Sequence, residues 1–144
     1  MFYLALITVF ILDQVLKTAI NFFMLPGQSI PIIKNVLHLT YVQNHGAAFG
    51  LFYGQQSFLL LVGIVALALI LYLHFNLWSH DFAQLALGFI WGGSLGNFVD
   101  RFFKHFVIDY VDFRVFPVFN LADIMINVGV ALLIWKLFFK GGRR

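Results

Sequence analysis

The chain has 144 residues, 62% of them hydrophobic and only 10% charged, with a formal net charge of +3. A mean hydropathy of +0.93 and so few charges, where soluble domains carry roughly 25%, exclude a soluble fold and imply an all-α membrane protein of one integral domain, 1–144. The Lys and Arg are scattered apart from the tail "KGGRR", which suits headgroups or solvent and argues against nucleic acid. The absence of cysteine removes disulfides, thiolate metal sites and cysteine nucleophiles.

Four runs reach the roughly 20 apolar residues that a spanning helix needs. The first, about 2–20, opens "FYLALITVFIL" and carries Asp13, Gln14 and Lys17 at its far end. It lacks the basic start of a signal peptide, and Asp13 stands where a small-residue cleavage site would be, so it is expected to be retained. Asp13 and Lys17 lie four apart with the acid first, the favourable order for an ion pair on one helix. Their plain reading is mutual neutralisation.

"NVLHLTYVQN", 35–44, alternates as a half-buried strand, and "NHGAAFG", 44–50, reads as a turn into a short helix. The second span, about 57–75, is the cleanest of the four. The third, about 82–99, places Gly88, Gly92 and Gly96 on one helix face, a pattern for close helix packing. An adjacent stripe holds Gly93, Asn97 and Arg101, with Asp100 one turn from Asn97 and Gly96. "FVIDYVDFRVFPVF", 106–119, is expected to be extended, with Pro117 ending any regular run, and the fourth span covers about 121–139.

Four spans put both termini and the 76–81 connection on one side, and 21–56 and 100–120 on the other. The second side holds five of the six carboxylates, which can partner its own cations, whereas the tail cluster has no acid near it. The tail is therefore expected to be cytoplasmic and the carboxylate side outward.

All six acids are aspartates, and three of them, Asp109, Asp112 and Asp123, fall within 107–123. Asn120 followed by Asp123 resembles a helix cap with an acid at its third position, but no local motif requires Asp109. An ionisable group at membrane depth costs about 2.5–3.5 kcal/mol on insertion scales, so several together imply a use. The five histidines have no zinc-protease spacing, and Ser94 has no nucleophile-elbow context. Carboxylate chemistry remains, in which two aspartates share a proton and one activates water while the other acts as acid. Asp109 and Asp123 are the natural pair. A proton-coupled transporter or accessory subunit using Asp and His relays, or an assembly factor packing through the glycine stripe, would use the same features differently.

Four blocks, "DQVLK" (13–17), "NHGAAFG" (44–50), "GGSLGNFVDR" (92–101) and "VIDYVDF…FNLAD" (107–123), resemble in order those of lipoprotein signal peptidase, signal peptidase II. The resemblance spans essentially the whole chain. It implies a bacterial membrane aspartyl endopeptidase, without metal or other cofactor, that removes the signal peptide of diacylglyceryl-modified prolipoproteins before the lipidated cysteine. It further implies four transmembrane helices with an extracytoplasmic β-cradle and short amphipathic helix over 30–53. Lipids and family-type cyclic peptide inhibitors are the other implied partners, and the bacterial cytoplasmic (inner) membrane the implied location. Asp109 and Asp123 match the catalytic dyad and Asp112 a supporting acid. Asn44, Asn97, Arg101 and Asn120 match positions lining the active site, with Asp13, Lys17, Gly46 and Asp100 in the same polar network. The Asp109–Asp123 spacing of 14 is shorter than expected for the family, and His45 adds a titratable group.

Overall fold

A computed structural model describes residues 1–47, 51–76 and 81–139. Its elements run α1 (Phe2–Phe23), β1 (Ser29–Ile33), β2 (Leu37–Asn44), α2 (Gln56–Asn76), α3 (Asp81–Lys104), β3 (Val107–Asp112) and α4 (Leu121–Phe139). All four helices are long and apolar enough to cross a membrane. They carry broad exposed faces of Leu, Ile, Val and Phe, the signature of helices whose outer solvent is lipid.

The third helix runs to Lys104, five residues beyond the expected end near 99. Its last turn stays helical because its charges find partners: Asp100 pairs with Lys104 one turn on and with Lys17 of α1. His105, in the left-handed region at φ 65, then ends it.

α3 is the hub, packed against α1, α2 and α4. Glycines let the backbones approach. A Cβ at Gly88 would lie 2.5 Å from the Phe2 carbonyl oxygen, and one at Gly92 2.7 Å from that of Leu6. One at Gly96 would collide with the Asp13 carboxylate, and one at Gly93 would meet the Ala122 carbonyl at 2.5 Å. The stripe is thus a packing surface against α1, while Gly93 serves α4.

The strands form one antiparallel sheet in the order β1-β2-β3. Val42 lies opposite Asp109 and His38 opposite Asp112, with a bulge between Leu39 and Val42. Both expected extended segments, 35–44 and 106–119, contain a strand. β1, with Pro31 in it, is an edge strand, where a missing N–H is tolerated. Tyr41, Ile108 and Tyr110 of the sheet pack on Ile20 of α1 and Met24 just after it, which fixes the sheet at the end of the bundle where α1 finishes. The short helix expected after Asn44 falls partly on residues 48–50, which lie outside the described residues, and 51–54 form a turn. The basic cluster at 140–144 also lies outside them.

Candidate active site

The start of α4 is held by side chains from three elements. A helix leaves its first amides without internal partners, and here the Ile124 amide makes the first turn's bond, to the Asn120 carbonyl. Every amide ahead of it is met by a side chain. The Asn120 amide donates to Asp123 Oδ2 at 3.2 Å, and the Asp123 amide to Asn120 Oδ1 at 3.0 Å, a reciprocal capping box. The Leu121 amide donates to the Tyr110 hydroxyl at 3.2 Å, and that of Ala122 to Asp13 Oδ1 at 3.0 Å. The helix start is therefore tied to β3 and α1 as well as to itself.

Asp123 caps with one oxygen and leaves the other for Asn97, whose Nδ2 donates to Oδ1 at 2.9 Å. Asp109 sits on β3, 2% exposed. Its Oδ1 accepts from Asn120 Nδ2 at 2.7 Å and its Oδ2 from Asn44 Nδ2 at 3.0 Å. Burial, reinforced by the charge of Asp123, pushes the Asp109 carboxyl up to about 7, against the opposing pull of both amide donors and the Lys17 charge. Asp109 is therefore about half protonated near neutral pH.

Behind this pair lies a buried ionic cluster. Lys17 Nζ meets Asp13 Oδ2 at 2.7 Å, Asp100 Oδ2 at 3.0 Å and Asn97 Oδ1 at 2.8 Å. Three ammonium protons thus find three acceptors. Lys104 completes the set on Asp100 at 2.8 Å, so two cations balance two anions. Removing Lys17, Asp13 or Asp100, whose side chains are fully buried, typically costs about 3–5 kcal/mol through the charge left unpaired. The cluster also fixes Asn97. Its Oδ1 accepts from both Lys17 and Asn120, which turns its NH₂ toward Asp123.

Asp109 and Asp123 open into one cleft of about 960 Å³. Asn44, Asn97 and Arg101 join them at its polar end, and Val42, Phe116, Phe119 and Ile126 are among its apolar walls. Arg101 donates to the Gly46 carbonyl at 3.1 Å and lies in the field of Asp123, Asp109 and Asp100. Gly46 is placed by its amide, which donates to Asn44 Oδ1 at 2.9 Å. Two carboxyls facing one cleft, fixed by amides beside a positive charge, are equipped for general acid-base work on a peptide carbonyl.

The model of the signal peptidase (SPase) II family matches residues 5–139. The chain belongs to the signal peptidase II family. It is 43% identical over 138 residues to the lipoprotein signal peptidase of Halothermothrix orenii, covering 96% of this chain and 95% of that protein. With that of Caldanaerobacter subterraneus it shares 39% over 134 residues, 92% of each. A bacterial membrane enzyme solved by the in meso method at 2.3 Å superposes with a TM-score of 0.91 at 33% identity, over 97% of this chain and 88% of that one. As a signal peptidase II, the chain is a multi-pass membrane protease, and the transporter and assembly-factor readings fall away.

Of the residues that the sequence put forward in this signal peptidase II chain, Asp109, Asp123, Asn44, Asn97, Arg101 and Asn120 converge around the cleft. Gly46 joins them by accepting from Arg101 through its carbonyl. Asp13, Lys17 and Asp100 stand one layer behind. Asp112 points elsewhere, because residues three apart on a strand face opposite sides of the sheet. It accepts from Thr40 Oγ1 at 2.8 Å and from the Arg114 amide at 2.7 Å, and pairs with the Arg114 guanidinium at 3.1 Å. Burial alone would raise its carboxyl, but these partners outweigh burial and hold it below the usual carboxylate range. Sequence reasoning missed Tyr110, whose hydroxyl caps α4, and Lys104. It also passed over Asn127, which lines the cleft one turn beyond Asp123, although a lone amide in an apolar span is a signal in itself.

Proposed function

We propose that the cleft is the active site of an aspartyl endopeptidase that cuts diacylglyceryl-modified prolipoproteins before the lipidated cysteine, with Asp109 and Asp123 as its dyad. One observation carries this reading: two carboxyls facing one cleft are bridged by Asn120, and burial raises one of them, Asp109, to about 7. Asp123, as carboxylate, takes a proton from water, and the water oxygen attacks the scissile carbonyl carbon. Asp109 gives its proton to the carbonyl oxygen, forming a neutral tetrahedral diol. Return of a proton from the diol to Asp109, and passage of the proton on Asp123 to the leaving nitrogen, then break the C–N bond and restore both groups. Asn97 and Asn120 hold the carboxyls in place, and Arg101 offsets their negative field.

The apolar walls suit a substrate presented from the bilayer. A basic tail without nearby acids supports cytoplasmic termini and hence an outward-facing cleft in the bacterial cytoplasmic membrane. The relatives' shared description as lipoprotein signal peptidases supports the choice of substrate. Purified protein in detergent, without cofactor, is expected to shorten a diacylglyceryl-modified precursor and to leave its unlipidated counterpart largely intact. Equal turnover of the two would contradict lipid recognition.

A further inference from the structure

Asn127 is the feature of the cleft that the dyad does not explain. It lies one turn after Asp123 on α4 and lines the same cleft, next to the apolar side chains of Ile124, Ile126 and Val128. Its Nδ2 donates to the Asp123 carbonyl at 2.9 Å. That bond fixes the amide and leaves Oδ1 as an acceptor with no donor among the described residues. The side chain is exposed to the cleft within a spanning helix, where an unmet polar atom is costly.

The depth of this acceptor identifies its partner. Four residues of helix descend about 6 Å, and an extended peptide covers that distance in about two residues at roughly 3.3 Å each. A signal peptide whose scissile bond lies at the dyad has its apolar part in the bilayer, so it runs down the cleft beside Asn127. Deeper in the signal peptide the amides are bonded within its helix. Next to the cut the chain must be extended to enter the dyad, and its N–H groups lose those partners in a cleft with apolar walls.

Resting on the peptidase reading above, we propose that Asn127 is a substrate-positioning residue: its side-chain carbonyl accepts a main-chain N–H of the signal peptide about two residues ahead of the scissile bond. This contact holds substrate before and during the reaction alike, so it acts on KM rather than on kcat.

The test uses synthetic diacylglyceryl-modified precursor peptides in detergent, one with natural amides and two with an ester replacing the amide at the second or third residue ahead of the cut. An ester keeps the shape and removes the N–H. Asn127→Leu is expected to raise KM about tenfold with kcat within about twofold. One of the two esters is expected to raise KM of the unaltered protein by a similar factor and to add no further penalty in the variant. Unchanged KM in Asn127→Leu, or an ester penalty equally large in both proteins, overturns the inference. Should the variant fail to fold, the unaltered protein still decides, since indifference to both esters overturns it. If the unaltered protein does not cut even the natural peptide, the peptidase reading itself fails, which is a different result.

Discussion

Asn120 touches both carboxyls, giving its side-chain NH₂ to Asp109 and its backbone N–H to Asp123. A buried residue with these two bonds sets the geometry of the pair more than either acid does. The proton on Asp109 has two consequences. Its carboxyl is raised from the ordinary value of 3.8 to about 7, so the folded state binds this proton more tightly than the unfolded chain. The stability tied to it is complete below about pH 4 and lost as pH rises through 7. The same ionisation removes the general acid. The pH profile of kcat/KM is therefore expected to fall on its basic side with a midpoint near 7, approaching tenfold per unit above it. A profile flat from pH 6 to 9 would contradict a protonated Asp109 in the reaction.

Among the elements, the junction of α3 with α4 sets the reach of Asp123, and the junction of α3 with α1 sets the bundle. The two glycines at these junctions are sequence neighbours with different duties. Gly93→Ala would press on the Ala122 carbonyl, one residue before Asp123, whereas Gly92→Ala would press on Leu6. Both are expected to lose about 1–3 kcal/mol of stability through overpacking, read as a lower unfolding midpoint. Gly93→Ala is also expected to lower kcat by about 10²-fold through displacement of the reacting group, with a much smaller loss for Gly92→Ala. Equal kcat losses in a detergent assay would show that the α3–α4 contact has no special bearing on the chemistry. The spans themselves were legible because uninterrupted apolar length is a strong signal. The true end of α3 was not, because Asp100, Arg101 and Lys104 look like loop residues until their partners on other elements are known. The run at 29–33, with Pro31 inside it, gives no strand signal of its own. The strand exists because β2 supplies a partner for its edge.

For the molecule as a whole, scarcity of charge drew attention to Asp109 and Asp123, and the resemblance added Asn44, Asn97, Arg101 and Asn120; the fold brings all six around one cleft. Asp112 and Asn127 show the limits of that logic. The resemblance implied a supporting role for Asp112, and strand alternation turns it toward Thr40 and Arg114. Asn127 carries no charge and escaped notice inside an apolar run. The proposed orientation can be read directly, since the chain has no cysteine. A cysteine introduced at Lys34, in the β1–β2 turn, is expected to react with a membrane-impermeant maleimide from outside intact cells. Labelling only after the cytoplasmic face is opened would invert the topology.

The most direct test of the aspartyl account is the turnover of a diacylglyceryl-modified precursor by Asp123→Asn and Asp109→Asn, with Asp112→Asn as comparison. Asparagine can keep much of the capping at position 123, so a pure cap would lose well under ~2 kcal/mol and little activity. The account predicts that both dyad variants fold and insert but lose at least about 10²–10⁴-fold in kcat. It predicts a double variant little worse than either single one, because members of one catalytic unit are non-additive, and measurable activity in Asp112→Asn. Near-normal turnover by Asp123→Asn would contradict the mechanism and leave Asp123 as a helix cap.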